Sequence, residues 1–413
     1  MKKKIIFFTS VFFSLILFFF SAMVLVHCIP KSAIKENAEE SLQHLVSEGA
    51  YPIPYDGASQ LDNFTDKLMV GMNTEDIQTE DPLYLAMFNP TFLKGENYSR
   101  YWHGYQVFLR PMLVLFSIVQ IRQIMTLLFF SLICLNFLML WKKLTFLHSF
   151  AFLVTMICLS ITVVGVSLQF FSVFAIMLFF NLYLFAFTDI SKAKYISVAF
   201  MAVGMITNFL DLLTAPLLTL GVPLIIYIAL LYKTGETRWL EGFKKIIFSS
   251  VAWVMGYGLC WVSKWALASI VLKQNIFSDA FHQILFRTNG NEEYAISRIN
   301  AVYVNILRLL SENGTFLIVM AAVIVLAVLM IIFKAKRSDY KTATLFVVIA
   351  LFPVIWYFVL ANHSSIHSWF TFRAAGIGVF AMLTALASVV NTELFSKRLN
   401  NIAKRFHGLI NKL

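Results

Sequence analysis

Long apolar runs separated by short polar stretches recur along the chain from residue 5 to residue 390. Each run has roughly 17–25 residues, which is enough for a helix to cross a hydrocarbon core of about 30 Å. The runs predict ten spans, at residues 5–27, 124–141, 147–168, 172–188, 195–207, 216–232, 246–272, 315–333, 342–361 and 372–390. The pattern therefore predicts an all-α, polytopic integral membrane protein.

The polar stretches between the runs alternate in charge, and every second one is basic, as around Lys142, Lys192, Lys244 and Lys336. Such an excess of Lys and Arg is typical of loops on the inner side of a membrane. Counting crossings then places both termini inside. The net charge of +11 is explained by this orientation, with basic loops facing an anionic leaflet. The charge therefore does not indicate a nucleic-acid partner. A hydrophobic content of 59% with only 13% charged residues excludes an ordinary soluble protein.

The spans divide the chain into six parts. These are a first transmembrane helix (1–27), a long extracytoplasmic loop with interfacial helices (28–123), helices two to seven (124–272), a second extracytoplasmic loop (273–314), helices eight to ten (315–390) and a basic amphipathic cytoplasmic tail (391–413). The apolar segments 105–123, 281–287 and 294–310 predict helices lying on the outer membrane surface.

Polar side chains gather at the predicted outer ends of the spans, where burial beside lipid is costly. Insertion of Arg, Lys or Asp at a helix centre costs about 2.5–3.5 kcal/mol, so such residues usually face a cavity or a partner. The candidates for substrate binding are Trp102, His103, Arg110, Asn208, Asp211, Lys264, Trp265, His363, His367 and Arg373, and the candidate catalytic acids are Asp62 and Asp66.

These residue types suit the transfer of a sugar from a lipid-phosphate carrier. Arg and Lys bind phosphate, a carboxylate activates a hydroxyl as general base, and Trp stacks on a sugar ring. The sequence has no Gly-rich phosphate loop following a strand, so a nucleotide donor is not indicated.

The layout of one inside-start helix, a long acidic loop and many further spans resembles the GT-C class of polyprenyl-phosphate-dependent glycosyltransferases. Segments 101–111, 208–216 and 362–367 also resemble uncharacterised Gram-positive membrane proteins of similar layout. The resemblance implies a polyprenyl-phosphate-sugar donor, a cell-envelope glycan or lipid acceptor, and action on the outer face of the plasma membrane. It implies a catalytic acid in the first loop, for which Asp62 is the first choice and Asp66 the second.

The same hypothesis gives the other candidates their roles. Arg110, Lys264 and Arg373 bind the carrier phosphate, His103, His363 and His367 position donor or acceptor, and Trp102 and Trp265 line the sugar site. His363 and His367 lie one helical turn apart but lack a third metal ligand, so no divalent metal or other cofactor is assigned. Asp211 is equally explained as a helix cap, and Lys264 as a lysine that extends toward the interface.

Three other functions remain open. A polysaccharide polymerase or ligase would share the chemistry, with Arg287 and Arg298 of the second outer loop contacting the glycan. A transporter or flippase of a lipid-linked saccharide would need polar residues near the membrane centre, and few are found there. An accessory membrane subunit would need none of this chemistry.

Overall fold

The computed structural model describes residues 2–48, 53–55, 59–61, 63–74, 81–88, 98–233, 238–290, 296–311, 314–334, 337–395 and 397–398. Asp62 and residues 399–413, most of the predicted amphipathic tail, lie outside these ranges.

Apolar and amphipathic sequence gives helices throughout the described ranges. They are α1 (Lys2–His27), α2 (Lys31–Ser47), α3 (Asn63–Gly71), α4 (Pro82–Phe88), α5 (Gln106–Leu115), α6 (Ile118–Lys143), α7 (Phe146–Cys158), α8 (Ile161–Val164), α9 (Leu168–Ala186), α10 (Ile196–Leu210), α11 (Leu218–Lys233), α12 (Trp239–Leu272), α13 (Ile276–Asn289), α14 (Arg298–Ser311), α15 (Thr315–Ile332), α16 (Arg337–Ala350), α17 (Phe352–Val359), α18 (Ala361–Ile366), α19 (Ser368–Thr371) and α20 (Gly376–Ser388). A short antiparallel hairpin, β1 (Ile53–Tyr55) with β2 (Ser59–Leu61), is the departure from the predicted all-α fold among these residues.

Seven helical segments of the described chain are long and apolar enough to cross a membrane. They are Ile5–His27, Ile118–Lys143, Leu168–Ala186, Trp239–Leu272, Thr315–Ile332, Tyr340–Val359 and Ser368–Ser388. The other three predicted spans correspond to the shorter apolar helices α7, α10 and α11, of 13, 15 and 16 residues. The prediction of a multi-helical membrane protein is confirmed at this coarser level.

The predicted span 147–168 is not one continuous helix. α7 ends at Cys158, and Ser160 has a positive φ of 55°, which an L-residue adopts only at a turn or under local constraint. The carbonyl of Leu159, freed from the helix, accepts a hydrogen bond from Arg373. A side chain that satisfies a helix end from elsewhere in the fold leaves no mark in the local hydropathy pattern.

The centre of the bundle is α11, which is buried along its length. α10 and α12 pack closely, because each presents a glycine to the other. A Cβ added at Gly204 would collide with the carbonyl of Trp253, and one at Gly256 with that of Met201. Small residues allow such close backbone approach between apolar helices.

The first loop folds against the end of the bundle where α1 ends, which we call the first-loop end. α2 buries Ile34, Ala38 and Leu45 against a cluster that also contains residues of α3, α5 and α6. α4 packs on α1 and α12. The loop is therefore part of the packed structure, and it carries Asp66, Trp102, His103 and Arg110 to this end.

Candidate functional site

Asp66 is fully buried and accepts hydrogen bonds from the backbone N–H groups of Leu168 and Gln169, each at 3.0 Å. These are orphan donors of the first turn of α9, so the carboxylate caps that helix and complements its dipole. Arg122 lies 3.7 Å away. Burial raises the pKa of Asp66 to about 6, against the lowering effects of Arg122 and the two backbone donors. Most of the acceptor capacity of this predicted catalytic acid is therefore used within the fold.

Arg110 is buried in α5 and holds the end of α1. Its guanidinium donates to the carbonyls of Val26 and Ile29, at 3.1 and 3.0 Å, and to Asn73 Oδ1 at 2.9 Å. The desolvation of this charge lowers the pKa of Arg110 to about 10. All three of its hydrogen-bond partners are neutral oxygens of the protein.

Lys264 makes the same kind of contact further along the first-loop end. Its ammonium is fully buried in α12 and donates to the carbonyls of Met87 and Ala86, at 3.0 and 3.3 Å. These carbonyls lie in the last turn of α4, where a cation is favourable. The ammonium also lies 5.7 Å from the ring centroid of Trp102, so Lys264 is buried rather than extended toward an interface.

Both predicted sugar-site tryptophans connect segment 98–105 to α12. Trp102 Nε1 donates to the carbonyl of Cys260 at 3.0 Å, and Trp265 Nε1 donates to the carbonyl of Arg100 at 3.1 Å. Each indole is buried and satisfied. They fix the position of the segment that carries Tyr101 and His103.

His103 occupies a strained turn between these contacts. Its φ is 54°, its Nδ1 lies 3.0 Å from the Tyr105 hydroxyl, and its Nε2 lies 3.3 Å from the carbonyl of Tyr98. Burial lowers the pKa of His103 to about 3, so the ring is neutral. The next residue, Gly104, donates to the carbonyl of Phe209 at 2.8 Å, and a Cβ at Gly104 would lie 2.5 Å from that oxygen.

Arg373 lies in the turn before α20 and contacts the end of α7 and a ring of α9 rather than the other candidates. Its Nε donates to the carbonyl of Leu159 at 3.2 Å, and its guanidinium carbon lies 4.2 Å from the centroid of the Phe170 ring. The side chain is 1% exposed. Like Arg110, Arg373 stabilises a helix end.

Asp211 closes the loop that follows α10. Its two carboxylate oxygens accept from the N–H of Thr214, at 3.1 and 3.0 Å, and burial raises the pKa of Asp211 to about 7. Asn208, one turn earlier, is buried with no hydrogen-bond partner for its Nδ2 among the described residues. Leu213, in the same loop, has a φ of 66°. A leucine held in this region marks strain, and such strain often accompanies functional sites.

His363 joins this loop to Arg287 of α13. The carbonyl of Leu213 lies 2.9 Å from His363 Nε2, and the Arg287 guanidinium lies 2.7 Å from His363 Nδ1. Arg287 also donates to the Tyr101 hydroxyl at 2.9 Å. The charges of Asp211 and Arg287 both act on the Tyr257 hydroxyl of α12, which is buried with no hydrogen-bond partner in the described structure. We call Tyr101, Asp211, Tyr257, Arg287 and His363 the Arg287 cluster.

The fold thus brings together only some of the predicted residues. Asp211 and His363 lie in the Arg287 cluster, with Asn208 beside it. The ring of His367 lies 4.9 Å from that of His363, and its Nδ1 is buried without a partner among the described residues. The sequence pattern gave Arg287 a role only in the polymerase or ligase alternative, and it indicated no role for Tyr257. Tyr257 could have been noticed in the sequence, because it lies one helical turn before Trp261 on α12.

An apolar groove of about 530 Å³ lies beside the first-loop end, between α5, α6, α9 and α10. Its lining includes Met69, Tyr105, Leu128, Leu168, Ala175 and Leu210. Three of these adjoin polar groups: Leu210 precedes Asp211, Tyr105 bonds to His103, and the N–H of Leu168 binds Asp66. Along its rim the side chains of Phe108, Ile124 and Phe179 are exposed, so the groove opens on the lateral surface of the helices.

Within the described ranges, no group of three or more His, Cys, Asp or Glu residues could hold a metal ion. No protein family, curated protein or solved structure matches the chain. The fold and the apolar helices define it as a multi-helical membrane protein.

Proposed function

We propose that the chain is a membrane glycosyltransferase of GT-C-like layout. It moves a sugar from a polyprenyl-phosphate carrier to a cell-envelope glycan or lipid acceptor. The observation that carries this proposal is the apolar groove whose lining runs directly into Asp211 at Leu210.

The groove suits a long hydrocarbon chain. Its lining is almost wholly apolar, it has a volume of about 530 Å³, and its exposed rim would admit a ligand from the side. Ligand pockets of several hundred Å³ typically combine an apolar lining with a few placed polar groups. Here the polar groups lie at the first-loop end, so an amphipathic ligand would place its chain in the groove and its head near Asp211.

Asp211 is the acid that we assign as general base for the acceptor hydroxyl. A pKa of about 7 is close to the value that makes a carboxylate an efficient base near neutral pH. Its protein hydrogen bonds all come from its own loop, at Leu212, Leu213 and Thr214, and no cation of the described chain forms an ion pair with it. Asp66 is instead held by Arg122 and by the first turn of α9, and Asp62 stays the expectation drawn from the family resemblance.

The cations predicted to bind phosphate form hydrogen bonds within the protein instead. Arg110, Lys264 and Arg373 each donate to backbone carbonyls at a helix end. We assign Arg110 and Lys264 to holding the first-loop end together, and Arg373 to closing the end of α7. His103, Trp102 and Trp265 similarly position segment 98–105.

The orientation belongs to the same proposal. We assign the first loop, and with it Asp211, to the outer face of the plasma membrane, because the loops predicted for the opposite side are the basic ones. Ten crossings follow if α7, α10 and α11 also span. No nucleic acid and no resident cofactor enters the proposed reaction.

The test uses purified protein in lipid nanodiscs with a panel of radiolabelled undecaprenyl-phosphoryl hexoses, and it measures sugar released or transferred. Asp211→Asn should lower the rate by about 10²- to 10⁴-fold, the usual contribution of a general base. Ala175→Trp fills the groove and should raise the KM for the donor. The matched control, Ala321→Trp, adds the same bulk on the exposed face of α15.

The outcomes separate the rival functions. A product lengthened by repeated units would indicate the polymerase or ligase. Movement of intact donor across the bilayer without cleavage would indicate a flippase and would contradict the transferase. Neither cleavage nor transport with the whole panel would contradict both.

A further inference from the structure

We propose that Arg287 binds the phosphoryl group of the ligand and that His363 and Tyr101 are the residues that position its guanidinium. This inference rests on the proposed function for the identity of the ligand. It assigns to α13 a role that the sequence had given to Arg110, Lys264 and Arg373.

Arg287 differs from Arg100 and Arg122 in the charge of its partners, and from the buried Arg110 in being half-buried with two side-chain partners. Arg100 and Arg122 pair with the carboxylates of Asp279 and Glu48. Arg287 forms no ion pair with a carboxylate of the described chain, and its two side-chain partners are uncharged. A half-buried guanidinium of this kind keeps a net positive charge available to an anion.

The hydrogen bonds of His363 fix its state. A carbonyl can only accept, so Nε2 must carry the proton that reaches the Leu213 oxygen at 2.9 Å. Nδ1 is then the acceptor for Arg287 at 2.7 Å, and the ring is the neutral tautomer. Burial, followed by the charge of Arg287, holds the pKa of His363 well below its usual range. The ring can therefore orient Arg287 without repelling it.

Hydrogen-bond donors without a protein acceptor remain on Arg287 and on side chains of the neighbouring helix α12. Two terminal nitrogens of Arg287 each give one N–H to the protein, and a guanidinium has five N–H donors in a planar fork that fits phosphate oxygens. The Tyr101 ring lies 4.9 Å from that of Trp261, whose Nε1 is buried without a partner among the described residues. Tyr257 offers a second unpartnered donor. Phosphate oxygens would satisfy such groups, whose burial otherwise costs free energy.

The experiment measures binding of farnesyl phosphate, farnesol and inorganic phosphate to the full chain in phosphatidylcholine nanodiscs. We expect wild type to prefer farnesyl phosphate to farnesol by about tenfold or more. Arg287→Gln should remove this preference and leave farnesol binding unchanged. Arg287→Lys should retain a small part of it, and Tyr101→Phe should reduce it.

Arg298→Gln is the matched control, because Arg298 also binds uncharged groups, Asn289 Oδ1 and the carbonyl of Phe358, but lies outside the cluster. Thermal unfolding is measured for every variant. If Arg287→Gln does not fold, Arg287→Lys and Tyr101→Phe carry the test. A purely structural Arg287 would lower stability and leave the ratio of the two farnesyl affinities unchanged.

Each remaining outcome decides between the two proposals. If folded Arg287 variants keep the wild-type preference, the inference is overturned and the lipid-phosphate function stands. If wild type binds both farnesyl ligands equally, the inference is overturned and the groove assignment stands. If inorganic phosphate competes as strongly as farnesyl phosphate and Arg287→Gln abolishes that binding, the anion site is free-phosphate specific and the carrier proposal fails. If nothing binds, both proposals fail.

Discussion

The Arg287 guanidinium lies 2.7 Å from Nδ1 of His363, a residue 76 positions further along the chain. This contact joins α13, which follows the long helix α12, to the short helix α18, which lies between α17 and α19. Through the other nitrogen of the same ring it also reaches the loop of Asp211. Three separate stretches of sequence thus meet in the Arg287 cluster at the first-loop end.

The transfer rate should depend on the ionisation of Asp211. Because its pKa is raised to about 7 and a general base must be deprotonated, the rate should rise through pH 7 and level off above it. A pH profile of kcat/KM in nanodiscs checks this. Glu39→Gln, an exposed change on α2, should keep the rise. A wild-type rate that is flat between pH 5.5 and about 8.5 would remove Asp211 as the base.

Replacing Asp66 should reduce stability more than function. Asp66→Ala leaves the N–H groups of Leu168 and Gln169 without their buried acceptor, a loss of about 1–3 kcal/mol for an unsatisfied buried group, while Arg122 keeps its ion pair with Glu48. Asp66→Asn keeps one carbonyl oxygen as acceptor and should lose less. Thermal unfolding in detergent measures both, with Glu39→Gln as the control. Unchanged stability in Asp66→Ala would show that the carboxylate does not cap α9.

Acid should destabilise the protein partly through His103. The folded state keeps this ring neutral down to about pH 3, whereas the unfolded state takes up a proton below about 6.5. The contribution of His103 to the free energy of unfolding is therefore complete above about pH 6.5. It is lost as the pH falls below that value, by about 1.4 kcal/mol per pH unit. His103→Asn should show a shallower acid loss than wild type, and the exposed change His282→Asn should not. Equal slopes for wild type and His103→Asn would contradict the buried, neutral ring.

Glycines at the contact of α10 and α12 give a matched set of substitutions. Gly204→Ala and Gly256→Ala place a Cβ against a facing backbone carbonyl, so each should lower stability by about 1–3 kcal/mol despite the better helix propensity of Ala. Gly258 has open space around the added Cβ, and Gly258→Ala should be neutral or stabilising. Thermal unfolding compares the three, and equal effects would mean that the helices do not pack this closely.

The helices themselves could be predicted because long apolar runs have a direct physical cause, the length of a membrane crossing. The break at Ser160 could not, since it depends on a hydrogen bond from Arg373 to the Leu159 carbonyl. The hydrogen-bond acceptors of Arg110 and Lys264 could not be predicted for the same reason. Their acceptors are backbone carbonyls of distant helices, and every residue has a carbonyl.

The candidate site was predictable only in part. Asp211 and His363 were marked by their polarity beside apolar runs, and the fold brings them together through Leu213. Arg287 lies on an amphipathic helix of a long loop, where a basic residue is unremarkable in the sequence. Its importance comes from the uncharged character of its partners, which depends on which side chains the fold places beside it.

The most direct test of the account is photo-crosslinking of wild-type protein in nanodiscs with polyprenyl phosphate that carries a diazirine in its chain. We expect labelling to be concentrated on the groove residues of α5, α6, α9 and α10, with loss of that labelling in Ala175→Trp and no loss in Ala321→Trp. Labelling spread over all exposed apolar helix faces, and unchanged by Ala175→Trp, would contradict it.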